Sequence, residues 1–164
     1  MKRRTFLFAA VALAVTALFT LPLTMQAGRE RKGKMIEKIN KSETEWRQSL
    51  TPDQFNVLRK EGTERPFSSA LNKQYGEGIY HCAGCDFPLF ESSTKFDSGT
   101  GWPSFYMSIE GHTETKRDFK MLLPRTEYHC ARCGGHQGHI FNDGPEPTGQ
   151  RWCNNGVALK FIAA

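Results

Sequence analysis

The chain has 164 residues and a formal net charge of +5 at pH 7. This length suits one folded domain with a leader and is short for two domains. Residues 1–41 hold nine Lys or Arg against two Asp or Glu, whereas residues 42–164 hold thirteen against fifteen. The folded part therefore has a net charge of −2, and we expect no nucleic-acid partner, because phosphate neutralisation needs cations clustered on the domain itself.

The first 27 residues have the layout of an export signal. Lys2, Arg3 and Arg4 precede an apolar stretch over 6–23, and small residues follow it. The two arginines and the next three residues resemble a bacterial twin-arginine signal, so the expected location is the periplasm. A retained anchor stays open as an alternative, because the stretch approaches the roughly 20 residues that span a bilayer. A membrane is a partner only if the leader is uncleaved.

Residues 28–41 are polar and charged and predict a flexible spacer, followed by one domain over 42–164. Two capping boxes, at 42–45 and 51–54, open this domain. They predict short helices over 43–49 and 52–61. Phe55 and Leu58 lie on one face of the second helix and should pack it onto the domain.

Beyond Pro66 the chain consists of short apolar or aromatic stretches separated by Gly, Pro, Asn and Asp. Stretches of this length favour strands over helices. The examples are residues 78–81, 87–90, 127–130 and 157–161. The predicted fold is mainly antiparallel β with short N-terminal helices.

Four of the five cysteines form two Cys-x-x-Cys pairs: Cys82, Cys85, Cys130 and Cys133. Such pairs predict one closed, structural zinc site per chain, in which Gly84 and Gly134 supply tight turns. The long gap between the pairs predicts that the metal staples two distant hairpins. Two disulfides remain the alternative in an exported protein.

Cys153 is the cysteine left over. It follows a loop at 147–149 and a Gly- and His-rich stretch that a packed strand would not need, and it lies beside Arg151 and two side-chain amides. Such neighbours lower a thiol pKa, which favours a reactive nucleophile. The alternative is a small, buried and inert side chain.

Several ordered motifs together resemble the peptide-methionine (R)-S-oxide reductases, the B-type methionine sulfoxide reductase family. Besides the two cysteine pairs they are FDSGTGWPSF at 96–105, GGHQGHIF at 134–141, DGP at 143–145, PTG at 147–149 and RWCNN at 151–155. The resemblance runs from about residue 41 to 161.

The resemblance implies two antiparallel sheets, a structural zinc away from the active site, and Cys153 as the nucleophile. Cys153 would reduce the R-epimer of methionine sulfoxide in oxidised proteins or peptides and become a sulfenic acid. His136 and His139 would donate a proton and orient the oxygen, with Asn155 as a further donor. Trp102 would bind the substrate methyl group. An external thiol reductant, thioredoxin-like or glutaredoxin-like, would complete the cycle.

Two positions depart from the family pattern. Thr100 stands where many members carry a resolving cysteine, and Gly156 stands where Ser is usual. A competing function is a non-enzymatic zinc-knuckle binding module with Cys153 buried and inert. A thioredoxin-like carrier is disfavoured because the sequence lacks its βαβ pattern.

Overall fold

The structure is a computed structural model that describes residues 35–120 and 123–164. The expected leader over 1–27 lies outside the described residues, as does the spacer up to residue 34. The last spacer residues contact the domain, since the Ile39 backbone N–H donates to the Arg132 carbonyl at 2.8 Å. Within the described ranges, no helix has the length and apolar character needed to cross a bilayer.

Two helices open the domain, α1 (Glu43–Ser49) and α2 (Pro52–Lys60). Both predicted capping boxes are present. Phe55 and Leu58 of α2 are buried, as predicted. The helix ends one residue earlier than expected, because Glu61 is left-handed (φ 56°, ψ 36°) and caps it.

In the described ranges, nine strands form two sheets in which every strand pair is antiparallel. A three-stranded sheet has the order β2-β1-β9 and a six-stranded sheet the order β3-β4-β8-β7-β6-β5. The strands are β1 (Gly78–Cys82), β2 (Pro88–Glu91), β3 (Lys95–Phe96), β4 (Ser104–Phe105), β5 (Thr113–Asp118), β6 (Arg125–Cys130), β7 (His136–Phe141), β8 (Arg151–Asn154) and β9 (Leu159–Ala163). The predicted fold class is confirmed.

Two local predictions were wrong. The last predicted strand begins at Leu159 rather than Val157, because a 3₁₀ turn occupies Gly156–Ala158. The Gly- and His-rich stretch is the packed strand β7 rather than a loop. Glycine is needed inside it, since a Cβ on Gly138 would lie 1.9 Å from the Cys153 carbonyl oxygen of β8.

Aromatic side chains from both sheets form the core. The Phe90 ring of β2 stacks on the Phe105 ring of β4 with centroids 4.2 Å apart, and the Tyr80 ring of β1 meets Phe105 edge-on at 4.9 Å. Tyr128 of β6 contacts Trp152 of β8 at 4.9 Å. Each such pair adds about 0.5–1.5 kcal/mol beyond the buried area. The core therefore fixes the position of β8, which carries Cys153.

Candidate active site and metal centre

The sulfur atoms of Cys82, Cys85, Cys130 and Cys133 all lie within 4.8 Å of one another. The Cys82–Cys133 sulfurs are 3.7 Å apart and the Cys85–Cys130 sulfurs 3.6 Å. A tetrahedral zinc with Zn–S bonds of about 2.3 Å requires S···S separations of about 3.8 Å, so the four thiols fit this metal. All are free cysteines. The alternative of two disulfides is therefore excluded in this structure.

The two metal-binding turns have the same backbone geometry. The residue after each second cysteine is left-handed, Asp86 at φ 57° and Gly134 at φ 66°. Each donates its N–H to the carbonyl of the first cysteine, at 2.9 and 2.8 Å. The left-handed residue of the first turn is thus Asp86, not the predicted Gly84. One turn follows β1 and the other follows β6, so a metal joins hairpins of both sheets.

Polar side chains approach the metal-site sulfurs from outside. Arg59 donates from Nη2 to the Cys133 sulfur at 3.3 Å, and Gln137 donates from Nε2 to the Cys82 sulfur at 3.3 Å. These N–H groups favour the thiolate form that binds metal. The Gln137 amide oxygen also accepts from Asn154 at 3.4 Å, which connects this site to β8.

A separate cavity of about 130 Å³ contains the predicted nucleophile. Cys153 on β8 lies directly opposite His139 on β7 in the strand register. Directly opposite residues project to the same face of a sheet. Trp102 and Asn155 complete the set of predicted residues that line the cavity. The structure therefore brings together four of the five predicted active-site residues.

His139 is held by a charged network. Its Nε2 lies 2.8 Å from Asp118 Oδ2, and Arg125 donates to the same oxygen at 2.7 Å. The Lys120 backbone N–H, followed by His139 and Arg125, keeps the pKa of Asp118 well below its ordinary value. The carboxylate thus stays ionised near neutral pH and accepts hydrogen bonds from His139 and Arg125.

His136 is the predicted residue that does not line the cavity. It is 3% exposed, and its Nδ1 donates to Glu127 Oε1 at 2.8 Å. Its ring lies edge-on to that of His139, with centroids 5.5 Å apart. Burial lowers the pKa of His136, although Glu127 acts in the opposite direction. Its buried Nε2 has no hydrogen-bond partner among the described residues.

Glu64 links Asn155 to Trp102. The Asn155 side chain donates to the Gln137 carbonyl at 2.9 Å and accepts from the Glu64 N–H at 3.0 Å. The Trp102 indole N–H donates to the Glu64 carbonyl at 3.3 Å. The Glu64 carboxylate accepts the backbone N–H groups of Gly156 and Val157 at 2.6 and 2.8 Å. One residue thereby fixes the indole and the segment that follows Cys153.

The expected depression of the Cys153 pKa is not found. Burial raises the pKa of this thiol, and the Arg151 guanidinium and the Thr100 hydroxyl only partly oppose that effect. Arg151 is itself paired with Asp143, through two hydrogen bonds of 2.8 and 2.9 Å. The Asp143 carboxylate raises the pKa of the Cys153 thiol, but by less than the Arg151 guanidinium lowers it.

Comparison with known proteins identifies the family of this chain. The SelR domain model matches residues 50–163. The chain belongs to the SelR family. It is 52% identical over 128 residues, 77% of this chain and 98% of the relative, to peptide methionine sulfoxide reductase MsrB of Pseudomonas syringae pv. syringae. It is 54% identical over 125 residues, 76% and 89%, to the MsrB of Methanosarcina mazei. Peptide methionine sulfoxide reductase B1, chloroplastic, of Arabidopsis thaliana shares 51% over 123 residues, 74% and 61%.

Sequence reasoning missed three acidic residues around the site of this SelR protein, namely Glu64, Asp118 and Glu127. Only the first two carry a readable signal. Asp118 is the last residue of β5 and Arg125 the first residue of β6. These oppositely charged residues lie opposite each other in the hairpin. Glu64 directly follows the segment that ends α2. No pattern in the sequence singles out Glu127.

Proposed function

We propose that this SelR-family protein is a peptide-methionine (R)-S-oxide reductase. It reduces the R-epimer of methionine sulfoxide in oxidised proteins and peptides to methionine, with electrons from an external thiol. The observation that carries the proposal is that Cys153, His139 and Trp102 line one small cavity. Family membership supports the same reaction, since the relatives quoted above are named as methionine sulfoxide reductases.

The Cys153 sulfur is the nucleophile of the proposed reaction. Its thiolate attacks the sulfoxide sulfur while a proton is delivered to the sulfoxide oxygen. The S–O bond of the substrate breaks as the oxygen passes to the Cys153 sulfur, and the transient bond between the two sulfurs breaks as methionine leaves. The products are methionine, reduced by two electrons, and a Cys153 sulfenic acid, oxidised by two.

His139 is the proposed proton donor. Its Nε2 is occupied by Asp118, which leaves Nδ1 as the nitrogen available to a ligand. A protonated imidazole beside an ionised carboxylate is a suitable acid near neutral pH. His136 lies edge-on to the His139 ring and is bound to Glu127, so its role is to orient that ring rather than to contact the substrate oxygen. Asn155 offers the second hydrogen of its amide to the same oxygen.

Trp102 is the proposed contact for the substrate methyl group. Its indole N–H is bound to the Glu64 carbonyl, so the ring has a fixed orientation in the cavity. A sulfoxide sulfur carries a methyl group, an oxygen and the side chain in a pyramidal arrangement. With the oxygen held near His139 and the methyl held by Trp102, one epimer presents its sulfur to Cys153. This arrangement supports selectivity for a single epimer, and the family resemblance implies that it is the R-epimer.

The four metal-site cysteines would hold one structural zinc that has no part in the reaction. They form a closed set of four sulfurs, with no position for water or substrate. A zinc there supplies folding free energy by joining the hairpins after β1 and β6. Cys153 lines a different cavity.

Recycling depends on an external thiol. The sequence has five cysteines, of which four form the metal site, and Thr100 stands beside Cys153 in place of a resolving cysteine. Two external thiols therefore convert the sulfenic acid to the thiol, releasing water and a disulfide. A thioredoxin-like or glutaredoxin-like protein is the proposed donor. The Arg-rich, apolar leader supports action after export to the periplasm.

A single assay tests the proposed reaction. The purified protein is incubated with the separate R- and S-epimers of a methionine sulfoxide peptide, with dithiothreitol as reductant, and methionine is measured. We expect reduction of the R-epimer only. Reduction of neither epimer would favour the zinc-knuckle binding module, which the arrangement of side chains around Cys153 does not favour.

A further inference from the structure

Phe67 has an unusual backbone conformation for a bulky residue. Its φ is 62°, in the left-handed region that residues other than Gly, Asn and Asp rarely adopt. Only Glu61 and Asp86 share this property among the non-glycine residues that the structure describes. Glu61 caps a helix and Asp86 shapes a metal-binding turn. Phe67 serves neither purpose.

The phenyl ring gains little burial in return for this strain. The Phe67 residue is 68% exposed. Gly or Asn at this position would relieve the backbone strain and remove an apolar ring from water. Strained residues that persist without structural benefit are found preferentially at binding sites. Binding of a ligand therefore explains the exposed ring better than packing within the protein does.

The Phe67 ring lies against Gly101, the residue that precedes Trp102 of the catalytic cavity. The Phe67 N–H donates to the Gly101 carbonyl at 2.7 Å, and the next residue, Trp102, donates its indole N–H to the Glu64 carbonyl. Residues 64–67 thus lie along Gly101 and Trp102. Gly101 has φ 91°, and a Cβ there would lie 2.8 Å from the Phe67 ring. This close approach fixes the ring next to Gly101, one residue before Trp102, which lines the cavity.

The size of the cavity determines which parts of a peptide substrate remain outside it. The cavity has a volume of about 130 Å³. It has room for one sulfoxide side chain but not for the residues on either side of it. In a peptide substrate these neighbours must lie on the rim. Methionine is among the most often buried residues, so segments that carry it are rich in apolar side chains.

We propose that Phe67 binds the apolar side chain next to methionine sulfoxide in the substrate polypeptide, so that the enzyme prefers sulfoxides with apolar neighbours. This inference rests on the proposed function. Phe67 is a specificity residue in it and takes no part in sulfoxide reduction.

The test compares three R-sulfoxide substrates with dithiothreitol as the reductant: a pentapeptide with Leu on both sides of the sulfoxide, the same peptide with Ser, and N-acetyl methionine sulfoxide amide. We expect kcat/KM for the Leu peptide to exceed that for the Ser peptide about 5- to 10-fold, as for one partly exposed apolar contact. Phe67→Asn, which tolerates the left-handed backbone, should bring this ratio to about one. Its activity on the small amide should be unchanged, and its melting temperature equal or higher.

Ile162→Ser is the matched control, because Ile162 is an apolar residue of β9, 51% exposed, in the other sheet. It should keep the wild-type ratio. The inference is wrong if Phe67→Asn keeps the ratio, or if it loses activity on the small amide to the same extent. The assay is repeated with thioredoxin in place of dithiothreitol, and a loss in Phe67→Asn that is seen only with thioredoxin would overturn the inference by showing that the ring contacts the reductant. Failure of the wild type on all three substrates would reject the proposed function itself, whereas equal activity on both peptides rejects only this inference.

Discussion

His139 and Cys153 face each other across the β7–β8 strand pair, as directly opposite residues in the register. The distance between the proposed proton donor and the proposed nucleophile is therefore set by the sheet and not by a loop. The core supports β8 through the contact of the partly buried Trp152 ring with the buried Tyr128 ring. Reacting groups on rigid elements are held in a productive geometry without an ordering cost in each cycle.

Cys153→Ser should abolish reduction of the R-epimer while it leaves the fold and the metal content intact. A serine hydroxyl is not appreciably ionised near neutral pH and cannot accept the oxygen as a thiol does. Methionine release is measured together with circular dichroism and bound zinc. Appreciable activity in this variant would reject Cys153 as the nucleophile.

Cys82→Ser or Cys133→Ser should release the metal and lower the melting temperature by roughly 10 °C or more, since structural zinc binding is folding free energy. Bound zinc per chain and thermal unfolding are the measurements. Cys153→Ser is the matched control, because it also removes one thiol but at a position in the cavity separate from the metal site. Melting at the parent temperature would contradict a four-thiolate site.

His139→Ala and Asn155→Ala should each reduce kcat more than they raise KM. The hydrogen bonds of these groups strengthen as the sulfoxide oxygen takes up a proton, so they act on the transition state. Removal of one such donor typically costs about 100-fold or more in kcat. Steady-state kinetics with the R-epimer peptide decide the point. An effect confined to KM would reduce both residues to substrate positioning.

Alkylation of Cys153 in the free enzyme should be slow at pH 7 and should accelerate as the pH rises above the ordinary thiol range. Burial raises the pKa of the thiol, so its thiolate fraction at neutral pH is smaller than that of a free cysteine. Arg151→Gln removes a cation that lowers this pKa and should move the profile to still higher pH. The iodoacetamide reaction rate, followed by mass spectrometry of the Cys153 peptide, measures both. A rate at pH 7 above that of free cysteine would contradict the effect of burial.

Thr100→Cys should give the enzyme an internal route of recycling. Thr100 lies close enough to the Cys153 thiol to lower its pKa, so a cysteine there can condense with the sulfenic acid. After one equivalent of substrate without reductant, the parent should carry a trappable sulfenic acid and the variant a 100–153 disulfide. Turnover with a thioredoxin-type donor should be faster in the variant. A disulfide between Cys153 and a metal-site cysteine in the parent, with loss of zinc, would overturn this account.

Local sequence signals predicted much of this structure. The capping boxes located both helices, and the cysteine spacing predicted the metal site, because both depend on residues close in the chain. The motifs also identified four residues that line one cavity. The effect of burial on the Cys153 pKa was not predictable, because it depends on packing among strands distant in sequence. The same is true of Glu127, which became a partner of His136 only through the register of β6 and β7.

Gly138 has no functional group, yet the structure makes it one of the least replaceable positions. Any side chain there would collide with the Cys153 carbonyl oxygen, since even a Cβ would lie 1.9 Å from it. The only relief is separation of β7 from β8, and this would move His139 away from Cys153. A survey of substitutions scored by activity alone would therefore place Gly138 among the catalytic residues, although it takes no part in the chemistry. Scoring metal retention and thermal unfolding beside activity would show that its effect is on strand spacing.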